Sequence, residues 1–273
     1  MNKGLAIFLA VIGLAATCAF GSNLASDNAA NSVYSGGWQN GMNGGYGFGA
    51  WTQSVYSANG GVGYFYVNSY VNNPACGGPG IDTGSPGGSW GLSVSNVNSG
   101  TTFAERPFTG GPMTIGQTFQ ISLQNGFVDG GAVGIDLRDT TGISSYNSGE
   151  LLSLYFSGGW HIYDGNGNPN LLGYDTHGFI VDFTVTGANT YSLTMTNLDP
   201  SASSGNQTIT VSGTLETQGG GEGVDSVALY SQQDKADAYH NMYFNSMEII
   251  PEPSTVLMVF LGMLLPFFIR RRK

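Results

Sequence analysis

"GFIVDFTVTG", residues 178–187, decides the fold class. Phe179, Val181, Phe183 and Val185 occupy alternate positions, with Ile180, Asp182, Thr184 and Thr186 between them. Successive side chains of an extended strand leave on opposite faces, so the pattern predicts a strand with one face in a core and the other in water. Similar runs lie on both sides: "YGFGAWTQSVY", "VGYFYVNSYV", "WGLSVSNV", "TFQISLQ", "AVGIDLRD", "LLSLYF", "WHIYD", "TYSLTMTN", "QTITVSG", "VDSVALYS" and "YHNMYFNSMEI". About a dozen short strands punctuated by Gly, Asn and Pro, with hardly any helix, predict an all-β, two-sheet β-sandwich or jelly roll. No segment sustains a 3.6-residue apolar period, and "SQQDKADAYHN" is the one polar stretch suited to a short helical turn or a charged loop. Residues 22–42 are small and polar, an edge strand or a loose arm. No fixed-period repeat supports a solenoid or propeller.

The ends differ from this body. "MNKGLAIFLAVIGLAATCAFGS" carries one early cation, Lys3, an apolar run over residues 5–16 and then small residues, the pattern of a secretory signal peptide. Ala19-Phe20-Gly21 is the best small-x-small cleavage site, so cutting between Gly21 and Ser22 starts the mature chain at Ser22. A lipoprotein signal ending at Cys18 competes, although Thr17 is bulkier than such a site prefers. With Cys18 removed, Cys76 is the remaining thiol, and no intrachain disulfide can form. It is expected partly buried in its Gly-Pro loop, "NNPACGGPG". Residues 22–249 form the expected β-sandwich domain, long enough for a substantial core.

Of eight Lys and Arg, Lys3 and the four terminal ones lie outside the body, which keeps Arg106, Arg138 and Lys235 against seventeen acidic residues. A body charge near -14 repels phosphates, which excludes DNA and RNA as partners. A surface rich in Ser, Thr, Asn and Gly and poor in cations suits a hydrated extracellular setting.

Three local motifs bear on chemistry. "IDTGS" at residues 81–85 matches the Asp-Thr-Gly-Ser of aspartic proteases, but that chemistry needs a second carboxylate, and the nearest approach is "DTTG" at 139–142. Gly87-Gly88-Ser89-Trp90-Gly91 has the form G-x-S-x-G, yet a strand follows it where a nucleophile elbow requires a helix. In "YDGNGNPNLLGYD", Asp164, Asn166, Asn168 and Asp175 take positions one, three, five and twelve of a calcium loop, with Asn170 at seven. Pro169 stands where that loop wants Gly and Asp175 replaces its bidentate Glu, so an Asn-Gly hairpin with turn hydrogen bonds is the competing expectation. Calcium is the one cofactor this pattern suggests. His161, His177 and His240 are scattered with no Cys/His cluster, which argues against zinc. Trp38, Trp51, Trp90 and Trp160 are the obvious candidates for stacking on a sugar ring, most of them expected in the core.

The last stretch, "IPEPSTVLMVFLGMLLPFFIRRRK", residues 250–273, has fourteen uncharged, mostly apolar residues at 256–269. Even with Ser254 and Thr255 such a helix spans about 24 Å, short of the roughly 30 Å hydrocarbon core. Arg270, Arg271, Arg272 and Lys273 would hold the cytoplasmic side. The order Pro251-Glu252-Pro253, Ser254-Thr255, a short hydrophobic helix with Gly262 and terminal basic residues resembles the PEP-CTERM sorting signal of Gram-negative bacteria. The tail is also similar to the C-terminal domain of ice-binding proteins. The PEP-CTERM resemblance implies an exosortase, a membrane-embedded transpeptidase that recognises the Pro-Glu-Pro region and removes a single transmembrane helix. It further implies transit through the inner membrane to the cell surface or the exopolysaccharide matrix. The body resembles the concanavalin-like jelly rolls through strand number and its closing strand "MYFNSMEII".

The expected protein is therefore exported and non-enzymatic, with a β-sandwich that contacts extracellular polysaccharide. A secreted glycoside hydrolase or polysaccharide lyase on the same fold is the alternative, which needs paired carboxylates in a groove. Ice binding needs a flat array of regularly spaced Thr, of which "DFTVTGANTYSLTMT" carries a hint.

Overall fold

The alternation in residues 178–187 is realised in full. In a computed structural model, which describes residues 23–56, 62–84, 87–94, 100–139, 145–167, 171–202, 207–217, 223–233, 235 and 237–252, Phe179, Val181, Phe183 and Val185 are buried and the residues between them are not. The expected signal peptide, and residues 256–269 where a hydrophobic helix is expected, lie outside the described residues. Among the described residues no helix is long and apolar enough to cross a membrane.

Among the described residues, fourteen strands build two antiparallel sheets. They are β1 (Ala25–Asp27), β2 (Thr52–Tyr56), β3 (Val62–Val67), β4 (Ser89–Val94), β5 (Gly100–Pro107), β6 (Thr118–Asn125) and β7 (Gly131–Arg138), then β8 (Glu150–Phe156), β9 (Trp160–Tyr163), β10 (Phe179–Gly187), β11 (Thr190–Asn197), β12 (Thr208–Thr214), β13 (Ser226–Gln233) and β14 (Met242–Ile250). One sheet runs β12-β11-β10-β6-β14-β4-β3, with β1 added beside β14, and the other runs β2-β5-β13-β7-β8-β9. A helical turn, α1 (Ser69–Asn72), follows β3, and the polar stretch before β14 forms the expected short turn, a 3-10 segment at Ala238–His240.

The inner faces close on one core. All four tryptophans are in it, and Trp38, Trp51 and Trp90 meet at ring-centroid distances of 4.9 to 6.2 Å. Such edge-on and tilted contacts add to the area the rings bury, and none of the four is left for an external ligand.

Two strands follow from no alternation. β5, second from the edge of the six-stranded sheet, carries Glu105 and Arg106, both fully buried. Arg106 reaches Asp27 of β1 at 2.7 Å, and Arg138 of β7 reaches Glu105 at 2.7 Å. The Arg106–Asp27 pair joins the N-terminal segment to the second sheet, so residues 23–51 are built into the sandwich. Tyr34 donates to the same Asp27 carboxylate and accepts from the Trp51 indole at 3.1 Å, while Arg106 lies over the rings of Phe48 and Trp51.

Strand direction fixes the two ends of the sandwich. Ile250 of β14 pairs with Thr118 and Met242 with Asn125, while Ala25 pairs with Ile249. Both termini of the body therefore leave at one end. The loops after β6 and before β14 lie a strand length away, roughly 25 Å at about 3.4 Å per residue.

Candidate functional site

The end opposite the termini carries the molecule's exposed aromatic shelf. Phe127, two residues past β6, and Tyr239, just before β14, are each 46% exposed. Their rings lie 10° from parallel with centroids 6.3 Å apart. Backbone bonds set this spacing: Phe127 N–H donates to the Tyr239 carbonyl at 2.8 Å and Gly126 N–H to that of Asn241 at 2.9 Å. Gly126 is required here, since a Cβ at that position would sit 2.1 Å from the Tyr239 oxygen. Tyr174 supports Phe127 from beneath at 5.7 Å, its hydroxyl donating to the Ala75 carbonyl. Asn73, at the end of α1, donates to Asn241, which brings the exposed Tyr70 and Val71 to the same end.

Polar groups surround the shelf. His240 contacts Phe127 edge-on, and its ring nitrogens face Asp237 and Asp129, while Lys235 reaches Asp129 at 2.6 Å. Hydrogen bonds from Lys235 and His240 hold the Asp129 carboxyl below its usual range. Next to Tyr174, Asp175 lies 3.5 Å from His177 Nδ1, and Asp199 lies 3.9 Å from the same atom. Ligand atoms of the three fall within 4.8 Å of one another, a donor set that could hold one divalent cation. Asn197 organises the group: its amide donates to Asp175, and its side-chain oxygen accepts from the Asp199 backbone. Ser201 donates twice to Asp199 Oδ1, which leaves Oδ2 toward the imidazole.

The calcium-loop residues are placed apart by the fold. Asp164 is buried in a tight turn, accepting from Tyr191 at 2.6 Å and from the Asn166 backbone at 2.9 Å, and Asn166 accepts from Thr214. These are the turn hydrogen bonds of the competing hairpin expectation. Asn168 lies outside the described residues, and Asp175 joins His177 and Asp199. Among the other motifs, Asp82 accepts from the Ser69 and Tyr70 backbones at the start of α1, and Ser89 is buried with its hydroxyl on the Val67 carbonyl. Neither is placed as a nucleophile or catalytic acid. Cys76 is buried, and burial with the nearby Asp82 charge pushes its thiol up to about 12.

A second polar feature occupies the terminal end. A groove of about 360 Å³ is lined by Asn147, Ser148, Gly149, Glu150, Tyr163 and Glu216. Burial, then the Glu216 charge, pushes the Glu150 carboxyl up to about 7. Asp136 beside it is fully buried and is raised well above the carboxylate range, first by burial and then by Glu150. Among so many acidic residues, nothing in their spacing along the chain singles out this pair.

The outer face of the eight-stranded sheet is a third surface. In-register rows across β6, β10, β11 and β12 read Thr118-Thr184-Ser192-Ser212, Gln120-Asp182-Thr194-Thr210 and Ser122-Ile180-Thr196-Thr208. Neighbouring hydroxyls bond to one another, Thr118 to Thr184 at 2.7 Å and Thr194 to Thr210 at 2.9 Å. Strand spacing makes this a lattice of about 4.8 by 6.8 Å.

No protein-family model matches the chain, and no curated protein matches it. Among solved structures it is similar to a protein of unknown function from Shewanella oneidensis MR-1, with a TM-score of 0.47, 10% identity and coverage of 93% of this chain and 96% of that one. It is also similar to the Ca2+/Man3GlcNAc-bound exoplasmic/lumenal domain of VIP36, with a TM-score of 0.39, 9% identity and coverage of 59% and 80%. The binding domain of botulinum neurotoxin serotype D matches with a TM-score of 0.37, 13% identity and coverage of 65% and 43%.

Proposed function

We propose that the protein is an exported, non-enzymatic component of the cell surface or exopolysaccharide matrix of a Gram-negative bacterium, with a concanavalin-like jelly roll that contacts polysaccharide through the Phe127–Tyr239 shelf. The observation that carries this reading is the pair of half-exposed parallel rings at the end farthest from both termini. Exposed apolar patches rimmed by polar groups mark binding surfaces, and an aromatic face beside carboxylates and imidazole offers stacking for a sugar ring and acceptors for its hydroxyls. The carboxylates of Asp129, Asp175, Asp199 and Asp237 favour a neutral glycan over a polyanionic one.

The tail fits this orientation. Pro251 and Glu252 follow β14 at the terminal end, so a membrane hold there directs the shelf outward. An exosortase-type enzyme acts on Pro251-Glu252-Pro253 and removes the helix at 256–269. Intact mass of the exported protein is expected to lack residues 256–273, and retained terminal arginines would overturn the processing step. A glycan array and a pull-down on isolated matrix test the binding: neutral oligosaccharides are expected to bind, and two blank results remove the carbohydrate reading. Reducing ends released from a bound glycan, with release lost in Glu150→Gln, would replace it with the hydrolase.

The hydroxyl lattice favours one second reading, ordering of water or ice on the flat outer face of β10 to β12. Thermal hysteresis of the wild type, lost in Thr194→Tyr/Thr210→Tyr, would support it; no hysteresis in the wild type removes it.

A further inference from the structure

A sheet edge offers unpaired backbone groups to any strand that can reach it, so folded proteins cover or charge their edges. Both edges of the six-stranded sheet are covered: Leu171 and Leu172 bond to Trp160 of β9, and the Asn40 side chain accepts from the Gln53 backbone of β2. β12, an edge of the eight-stranded sheet, is different. The bonds at its two ends fix which of its groups point outward. The Gln207 carbonyl accepts from Asn197, and Leu215 N–H donates to Asn189. Odd-numbered residues of β12 therefore bond to β11, and Thr208, Thr210 and Ser212 turn their N–H and C=O groups away from it. Among the described residues nothing bonds to those outward groups, while the Thr214 carbonyl just beyond accepts from Gly165 at 2.9 Å. The register of β12 is unbroken, and Gln207 to Leu215 includes no Lys, no Pro and no charge, so the devices that blunt natural edges are missing.

The pattern of the strand says what fits it. Thr208-Ile209-Thr210-Val211-Ser212 reads hydroxyl, aliphatic, hydroxyl, aliphatic, hydroxyl in either direction from Thr210. Laid antiparallel on a copy of itself about Thr210, it sets Thr208 opposite Ser212 of the second copy and Thr210 opposite its own equivalent. Each such pair exchanges two N–H···O bonds, so every outward group is used. Ile209 then meets Val211 of the second copy at the closer, non-hydrogen-bonded position, and both are half-buried against the core of the single chain. Charge does not oppose this pairing. The two copies of Glu216 would stand about 40 Å apart and those of Asp182, in the same row as Thr210, roughly 24 Å apart, both well beyond a screening length of about 8 Å.

We propose that β12 is the interface of a two-fold homodimer in which the eight-stranded sheets of two copies join edge to edge. The dyad stands perpendicular to the sheet, so the two hydroxyl-bearing faces lie on one side and the strand directions are reversed. The Phe127–Tyr239 shelves then point to opposite ends of the dimer, and so do the termini. Two tails leaving in opposite directions cannot enter one membrane, so the dimer belongs to protein released from it. A released dimer bridges two polysaccharide chains; the bridging rests on the proposed function of the shelf, and the dimer itself does not.

Sedimentation velocity of the full chain in detergent tests the interface, and a monomer–dimer equilibrium is expected. Thr210→Lys and Thr210→Asp each set like charges face to face at the dyad and should weaken association at least about tenfold, while mixing the two should restore a dimer with one of each. Position 210 is exposed, and both variants should keep the wild-type circular dichroism spectrum. In wild type, the amides of Thr208, Thr210 and Ser212 should exchange hydrogen more slowly as concentration rises, a readout that needs no variant. A monomer at every concentration overturns the proposal, as does a mixture that stays monomeric. A dimer indifferent to both charges also overturns it, since association through the expected hydrophobic tail would behave so. Slow exchange at the three amides without a dimer assigns the edge to an extended peptide and removes the second copy as its occupant.

Discussion

Replacing Asp27 by Ala is expected to destabilise the protein by about 3–5 kcal/mol, because the Arg106 guanidinium would stay buried without its counter-charge. Both side chains are completely inaccessible and meet at 2.7 Å. Arg106 would keep the Gly49 carbonyl, Asn43 and the rings of Phe48 and Trp51, none of which carries a negative charge. Tyr34 would lose its acceptor, and the Asn28 backbone its turn bond. For a body of this size the loss corresponds to a melting-temperature drop of roughly 10 °C. Guanidinium denaturation followed by tryptophan fluorescence is the assay, since Trp51 lies in the network and touches Trp38 and Trp90. Removing both charges in Asp27→Leu/Arg106→Met should recover a large part of the loss, as apolar replacements of buried pairs do. Lys235→Ala, which breaks an exposed pair, should leave the denaturation midpoint close to that of wild type. A loss below about 1 kcal/mol in Asp27→Ala, or a double variant no better than the single one, would refute the account of how the N-terminal segment is held.

Stability should fall as pH rises through the window from the ordinary carboxyl value of 4.5 to about 7, because folded Glu150 keeps its proton there and the unfolded chain does not. Glu150→Gln should flatten that slope in melts taken from pH 4 to 8; an unchanged slope contradicts the assignment. Tyr191→Phe should cost about 1–2 kcal/mol in the same denaturation assay by leaving the buried Asp164 oxygen without its 2.6 Å donor. Cys76 should resist iodoacetamide in the native protein and react only on unfolding, and rapid native labelling would show that the loop exposes it.

The strands that cross the sandwich with one wet face were legible, because alternation survives wherever one face meets a core and the other meets water. β10 and β11 are the plainest cases. β5 escaped because both of its faces are buried, so Glu105 and Arg106 sit in ion pairs where the pattern asks for apolar residues. β1 escaped because three residues are too few to show a period. The site was less legible than the fold. Tryptophan draws attention as a sugar-stacking residue, yet its size sends all four to the interior. Phe127 lies in a turn-rich segment that periodicity ignores, and Tyr239 opens the run "YHNMYFNSMEI" but falls in the turn before its strand; an aromatic beside Gly, Asn and Asp is the signal that could have found them. Asp175 and His177 are neighbours in sequence, but Asp199 reaches them only because the β10–β11 hairpin pairs Phe179 with Asn197. Spacing along the chain instead suggested Asp164, which the fold commits to Tyr191.

The proposed role of the shelf opposite the termini is to bind neutral polysaccharide. Its most direct test is the affinity of wild type and Phe127→Ala/Tyr239→Ala for a neutral oligosaccharide that the array identifies, with Tyr163→Ala as the exposed aromatic control at the other end. Removing two half-exposed rings should weaken binding at least about tenfold, from about 1 kcal/mol or more of lost contact per ring. Tyr163→Ala should bind as wild type does. Undiminished binding by the double variant, or binding lost in Tyr163→Ala alone, would contradict the account.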